Sequence, residues 1–187
     1  MLAERTASQL VGEAAEIIQA GIDDFSGALD AIDAPIYVTD KDGTITYYNK
    51  ACITLAGRRP RVGVDKWCVT WKIFTLEGEF LPHDECPMAV AIKERKAVRD
   101  VEAVAERPDG TRVNFVPYPT PLFDAEGNLC GAVYLLLDVT DQRKPEYLKA
   151  QAAQCRNLAL CVNDRQAAES LHLLAAKYDL QAGRLSN

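Results

Sequence analysis

The chain has 187 residues, room for one domain of ordinary size with helical extensions. Apolar residues make up 48% and charged residues 26%, a globular balance that excludes a wholly disordered chain. The net charge of −6 leaves nothing overall to neutralise phosphates, so no nucleic-acid partner is expected.

No stretch of about 18 apolar residues occurs, so no membrane-spanning helix is expected. Met1-Leu2-Ala3-Glu4-Arg5 lacks the basic-then-apolar order of a secretory signal, and a cytoplasmic protein is predicted. Cysteines stand at 52, 68, 86, 130, 155 and 161 without a C-x-x-C pair, which predicts free thiols buried as small hydrophobes.

In chain order, residues 1–30 read as an amphipathic helical segment. Val11, Ala15, Ile18, Ile22, Phe25, Leu29 and Ile32 alternate steps of four and three, an a/d seam. Asp23-Asp24 can restart a second helix there. The stripe either packs on its own domain or forms a dimer seam. Pro35–Asp40 and Ile45–Asn49 are β-branched and aromatic, and Lys41-Asp42-Gly43-Thr44 joins them as a hairpin. Asn49 can cap a short helix over Lys50–Ala56.

Residues 57–86 are broken by glycine and proline and predict turns, with Trp67, Trp71 and Phe74 at helical spacing as aromatic cover. Pro87–Lys93 predicts a helix with proline in its first position. Strands follow over Val98–Arg107, Arg112–Leu122 and Leu129–Val139. Pro117, Pro119 and Pro121 remove ladder donors and predict an irregular middle strand. Residues 144–187 are helical again. Leu148, Ala152, Cys155, Ala159 and Val162 form one stripe and Ala168, Leu171, Ala175 and Tyr178 another. Asn163-Asp164 between them predicts a helical hairpin or a bent helix. The fold class is α+β, a five-stranded antiparallel sheet with short helices on one face.

The order of these pieces resembles the PAS domain, a sensory module of bacterial signalling proteins. The matching segments are Ala28–Ile32, Pro35–Asp40, Asp42–Ala51, Pro108–Arg112, Asp124–Ala132 and Asp138-Val139-Thr140-Asp141. The resemblance covers about 26–143, and a PAS domain over 31–143 is expected. Asp138-Val139-Thr140 is similar to the family's D-[IV]-T signature. The resemblance implies that Asp138 and Thr140 mark the junction where a signal leaves the sheet for a following helix. It also implies a signalling partner such as a histidine kinase or a transcription regulator.

No nucleotide-binding glycine loop or nucleophile elbow is present, and no enzymatic activity is expected. His172, in Leu171-His172-Leu173-Leu174, lacks the acidic neighbour of a phosphoacceptor. Strand alternation places Tyr37 or Ile36, with Phe115, Tyr118, Tyr134 and Leu136, toward the helix-covered face. With Trp67, Trp71, Phe74 and His83 they line a candidate small-molecule pocket.

The segment from Trp67 to Met88 has three readings. Its aromatics can roof the core, with Cys86 a buried thiol. His83 can ligate haem, since haem-binding members of the resembled family carry a histidine near the helix matching 87–93. Cys68, His83 and Cys86 can form a metal or redox site. The flavin-binding relatives carry G-x-N-C-R-F-L-Q, and Trp67-Cys68-Val69-Thr70 does not match it. The cofactor is left unknown. A sensor or interaction module, working as a homodimer on a small ligand or partner, is expected. The alternative is a constitutive dimerisation scaffold with a filled core.

Overall fold

The computed structural model describes residues 6–20 and 25–185. Ile22 and Asp23-Asp24 lie outside the described residues. The chain divides after Asp138 into two compact units.

The first unit is built on a seven-stranded antiparallel sheet. Its strands are β1 (Ile36–Asp40), β2 (Ile45–Tyr48), β3 (Lys72–Phe74), β4 (Phe80–Leu81), β5 (Ala103–Glu106), β6 (Arg112–Phe123) and β7 (Leu129–Asp138). Their order across the sheet is β2-β1-β7-β6-β5-β3-β4. The two strands beyond the expected five are β3 and β4. They are too short to show an alternating pattern. A turn closes them, with Thr75 N–H donating to Glu79 O at 2.8 Å and Gly78 at φ +88°. Trp67, Trp71 and Phe74 therefore do not share a helix.

Helices cover both faces, not one. On one face lie α3 (Lys50–Ala56) and α4 (Pro87–Glu94), over a core of Tyr37, Ile73, Met88, Phe115, Tyr134 and Leu136. On the other lie α1 (Ala7–Gln19) and α2 (Phe25–Asp30). Val11, Ala14 and Ala15 are buried there against Ile36, Val38, Leu122, Val133 and Leu135. The described residues of the N-terminal stripe are thus taken up by their own sheet. Thr6 starts α1 through a reciprocal capping box with Gln9.

The prolines of β6 leave the strand continuous, with a register shift only between Leu122 and Phe123. β5 pairs with residues 112–115 alone, so the later part of β6 has an open edge. Pro119 O points to that edge and accepts from Arg99 Nη1 at 2.7 Å. The N–H that proline lacks would point the same way, so the β7 ladder loses nothing. The strand expected from Val98 begins only at Ala103, after Arg95 and Asp100 turn the chain at positive φ.

The second unit contains a 3-10 turn (Asp141–Arg143), α5 (Pro145–Cys161) and α6 (Arg165–Leu185). The two helices form a hairpin around Ala152, Cys155, Ala175 and Tyr178. Asp164 caps α6, accepting from Ala167 N–H at 2.8 Å.

Candidate functional site

Two tyrosines occupy the centre of the α3–α4 face. Tyr37 on β1 and Tyr134 on β7 are cross-strand partners. Their rings stack at 4.5 Å and 14°, and both are fully buried. Each hydroxyl finds a partner inside the protein. Tyr37 Oη donates to Trp67 O at 2.8 Å, and Tyr134 Oη lies 3.0 Å from Thr39 Oγ1. Burial holds both phenols above their ordinary range. Among the described residues no buried side-chain nitrogen or oxygen lacks a partner.

Cys68 and Thr70 continue this interior toward the surface. Thr70 Oγ1 donates to Cys68 Sγ at 3.2 Å and lies 3.5 Å from His83 Nε2. His83 is half-buried on the wall of a groove of about 530 Å³, whose lining includes Arg58, Asp65, Trp67, Cys68 and Trp71. Burial, then the nearby Arg58 charge, lowers the imidazole's pKa, so it is neutral at pH 7.

The groove wall is fixed by charge and by backbone strain. Asp65 accepts from Arg58 Nη2 at 2.7 Å, from Arg61 Nε at 3.0 Å and from Arg61 N–H at 3.1 Å. Burial alone would raise its carboxyl. The Arg61 backbone N–H and the Arg58 guanidinium outweigh that and hold it below the usual range. Trp67 sits at φ +67°, a conformation costly for a bulky residue. Its N–H donates to Gly43 O at 2.7 Å, and its ring lies where a Cβ on Gly43 would be, 2.2 Å away.

A second cleft, of about 630 Å³, opens at the far end of the sheet. Asp138 at the end of β7 lines it with Asp30, Asn49, Lys50 and Arg107. Arg107 donates to Leu55 O at 2.9 Å and Thr54 O at 3.1 Å, closing the C-terminal end of α3.

A sequence model of the PAS domain matches residues 33–141, more than half of the chain. The chain belongs to the PAS-domain family. No curated protein matches it. Solved PAS-type structures are similar at low identity. A LOV protein of Rhodobacter sphaeroides is 12% identical, with 94% of this chain and 97% of that one covered and a TM-score of 0.47. The PAS domain of the fruit-fly ELK potassium channel is 11% identical, covering 63% and 96%, with a TM-score of 0.49. The PAS domain of an HTR-like protein from Haloarcula marismortui is 15% identical, covering 68% and 98%, with a TM-score of 0.42.

Within this PAS domain the pocket residues expected from sequence separate into four places. Tyr37, Phe115, Tyr134 and Leu136 share the interior of the α3–α4 face, with Trp67 packed against it. Trp67, Trp71 and His83 line the groove, and Trp71 is 51% exposed, not roofing the core. Phe74 lies on β3, edge-on to Phe80 at 5.8 Å and with the Arg112 guanidinium 4.6 Å from its ring centre. Tyr118 is on the opposite face, against the α1 cluster. It is three residues from Phe115, and an odd step along an unbroken strand reverses the face.

The cofactor readings meet this geometry as follows. The space over the sheet that a flat haem would need is filled by the tyrosine stack, Phe115 and Met88, so the residues do not fit haem held there by His83. Among the described residues no three His, Cys, Asp or Glu side chains converge on one metal position, which removes Cys68, His83 and Cys86 as a ligand set. Burial raises the thiols of Cys52, Cys68 and Cys86, the last to about 12, so all three are protonated and poor nucleophiles. Asp138 ends β7 in the first unit, and Thr140 is the second residue of the second, its carbonyl accepting from Arg143 N–H at 3.1 Å.

Sequence reading missed Thr39, Thr70, Arg58 and Asp65. Threonine in a strand and an Arg–Asp pair seven residues apart in a loop are common. Neither signals a site until the chain has folded.

Proposed function

We propose that this PAS domain is part of a non-enzymatic, cytoplasmic sensory module that acts as a dimer. A small ligand or a partner protein engages the Trp67–His83 groove and shifts the packing beneath it. The flanking helices carry that shift to a signalling protein such as a histidine kinase or a transcription regulator.

The Tyr37–Tyr134 stack carries this reading. One edge of it hydrogen-bonds Trp67, a groove residue. The other ring belongs to β7, whose Val133 and Leu135 pack beneath α1 and whose last residue, Asp138, precedes the C-terminal unit. A displacement of Trp67 thus has a short mechanical route to strands contacted by a flanking helix. The self-satisfied interior favours a signal arriving at the surface over a cofactor held within.

Sedimentation of the full chain, with native mass spectrometry, tests the assembly this reading needs. A two-copy species across the micromolar range is expected. A chain that stays monomeric at high micromolar concentration contradicts it.

A further inference from the structure

The charge of the Trp67–His83 groove runs against that of the chain. Three cations line it, Arg58, Arg61 and Lys66, against two carboxylates, Asp65 and Asp84. His83 is neutral and adds nothing. The groove is therefore positive by one charge, whereas the whole chain carries −6. A single negative group balances that surplus. A doubly charged phosphate group would reverse it and face two carboxylates.

The cations are also arranged for a planar acceptor. Asp65 draws two guanidiniums together, accepting from Arg58 Nη2 at 2.7 Å and Arg61 Nε at 3.0 Å. Arg58 is anchored a second time, its Nε donating to Val69 O at 3.0 Å, and its side chain is only 19% exposed. Among the described residues, Nη1 of Arg58 and Nη1 of Arg61 donate to nothing. Each guanidinium thus keeps donors for a further partner and is already held in place to meet it. Guanidinium N–H groups match a carboxylate, whose two oxygens lie in one plane.

The same lining offers an aromatic face. That of Trp67 is engaged, with Lys93 Nζ 5.7 Å from the ring centre. Trp71 has no ring or cation partner among the described residues, and it is 51% exposed. Val64, also in the lining, is 58% exposed. Apolar surface beside a surplus positive charge complements a ligand with a flat apolar body and one negative end. A groove of about 530 Å³ has the size of a small-molecule site.

We propose that the Trp67–His83 groove binds a small planar aromatic monocarboxylate, its ring on Trp71 and its carboxylate on the free guanidinium donors of Arg58 and Arg61. The inference rests on the groove reading above and names its ligand class.

Trp67 and Trp71 are the two tryptophans of the chain, so both indole N–H signals in a nitrogen–proton NMR spectrum report the groove. The full chain is titrated with benzoate, with benzamide (ring without charge), with acetate (charge without ring) and with inorganic phosphate. Benzoate is expected to shift the Trp71 signal saturably and to bind at least about tenfold more tightly than the other three. Trp71→Ala and Arg61→Gln, followed through the Trp67 signal, are each expected to weaken benzoate about tenfold. The Arg61 side chain is 71% exposed, so its loss spares the fold, and an unmoved Trp67 signal in the free variant checks this. Equal binding of benzoate and benzamide, tighter binding of phosphate, or an affinity unchanged in both variants overturns the proposal. Indole signals unmoved by every probe also overturn it, and leave the groove reading to a partner protein. Benzoate that shifts Trp71 but no amide of β1 or β7 supports this ligand and contradicts the relay in that reading.

Discussion

Asn49 shows how much one buried side chain can organise. Its Oδ1 accepts from Ile36 N–H at 3.1 Å and Cys52 N–H at 3.3 Å, while Nδ2 reaches Ala34 O at 2.8 Å and Ile32 O at 3.2 Å. It ties the entry of β1 to the start of α3. The sequence announced the cap, because asparagine directly before a helix has few better uses. The other bonds join it to residues more than a dozen positions away, and no local pattern shows them. Asn49→Ala is expected to cost about 3 kcal/mol, since it removes a cap and strands buried backbone groups. Urea unfolding measures this. A loss under about 1 kcal/mol would show that water replaces the side chain. Thr70 and Thr39 were illegible for the same reason: their hydroxyls gain meaning only from the thiol and phenol that folding brings beside them.

Among the elements, the β1–β2 hairpin was the most legible. The Asp-Gly turn and flanking β-branched residues belong to one local code. What that code omits is the second demand on Gly43. Its φ of +77° would by itself strain another residue, and the Trp67 ring fills the volume of any Cβ there. Gly43→Ala should therefore cost about 2 kcal/mol or more, beyond the left-handed backbone penalty alone. It should also move Trp67, seen as a changed tryptophan emission in the folded protein. Unchanged stability and emission would contradict the packing described for the groove wall. The prolines of β6 teach the complementary lesson. They forecast an irregular strand because sequence cannot say which edge of a strand is open. On that edge Arg99 takes up the carbonyl of Pro119, and the N–H that this proline lacks costs the β7 ladder nothing.

For the whole molecule, the element order sufficed to recognise the PAS domain, because the turns and strand lengths that define it are local features. The partner of each apolar stripe was not readable. The N-terminal stripe had two candidate partners, its own sheet and a second copy, and Val11 and Ala15 lie on the sheet. Tyr118 was misplaced because an aromatic residue suits either face of a sheet, and only strand parity decides between them. The groove, the tyrosine pair and β7 form one connected body because each step between them is a hydrogen bond or a ring contact. That connection is the central claim, and hydrogen exchange of the full chain tests it most directly. Thr70→Val keeps the shape of the side chain but removes its bond to Cys68 and its approach to His83. Faster amide exchange is predicted in residues 36–40 and 132–138, beyond any uniform change measured on β6. A change confined to residues 66–86, with β1 and β7 unaltered, would contradict it.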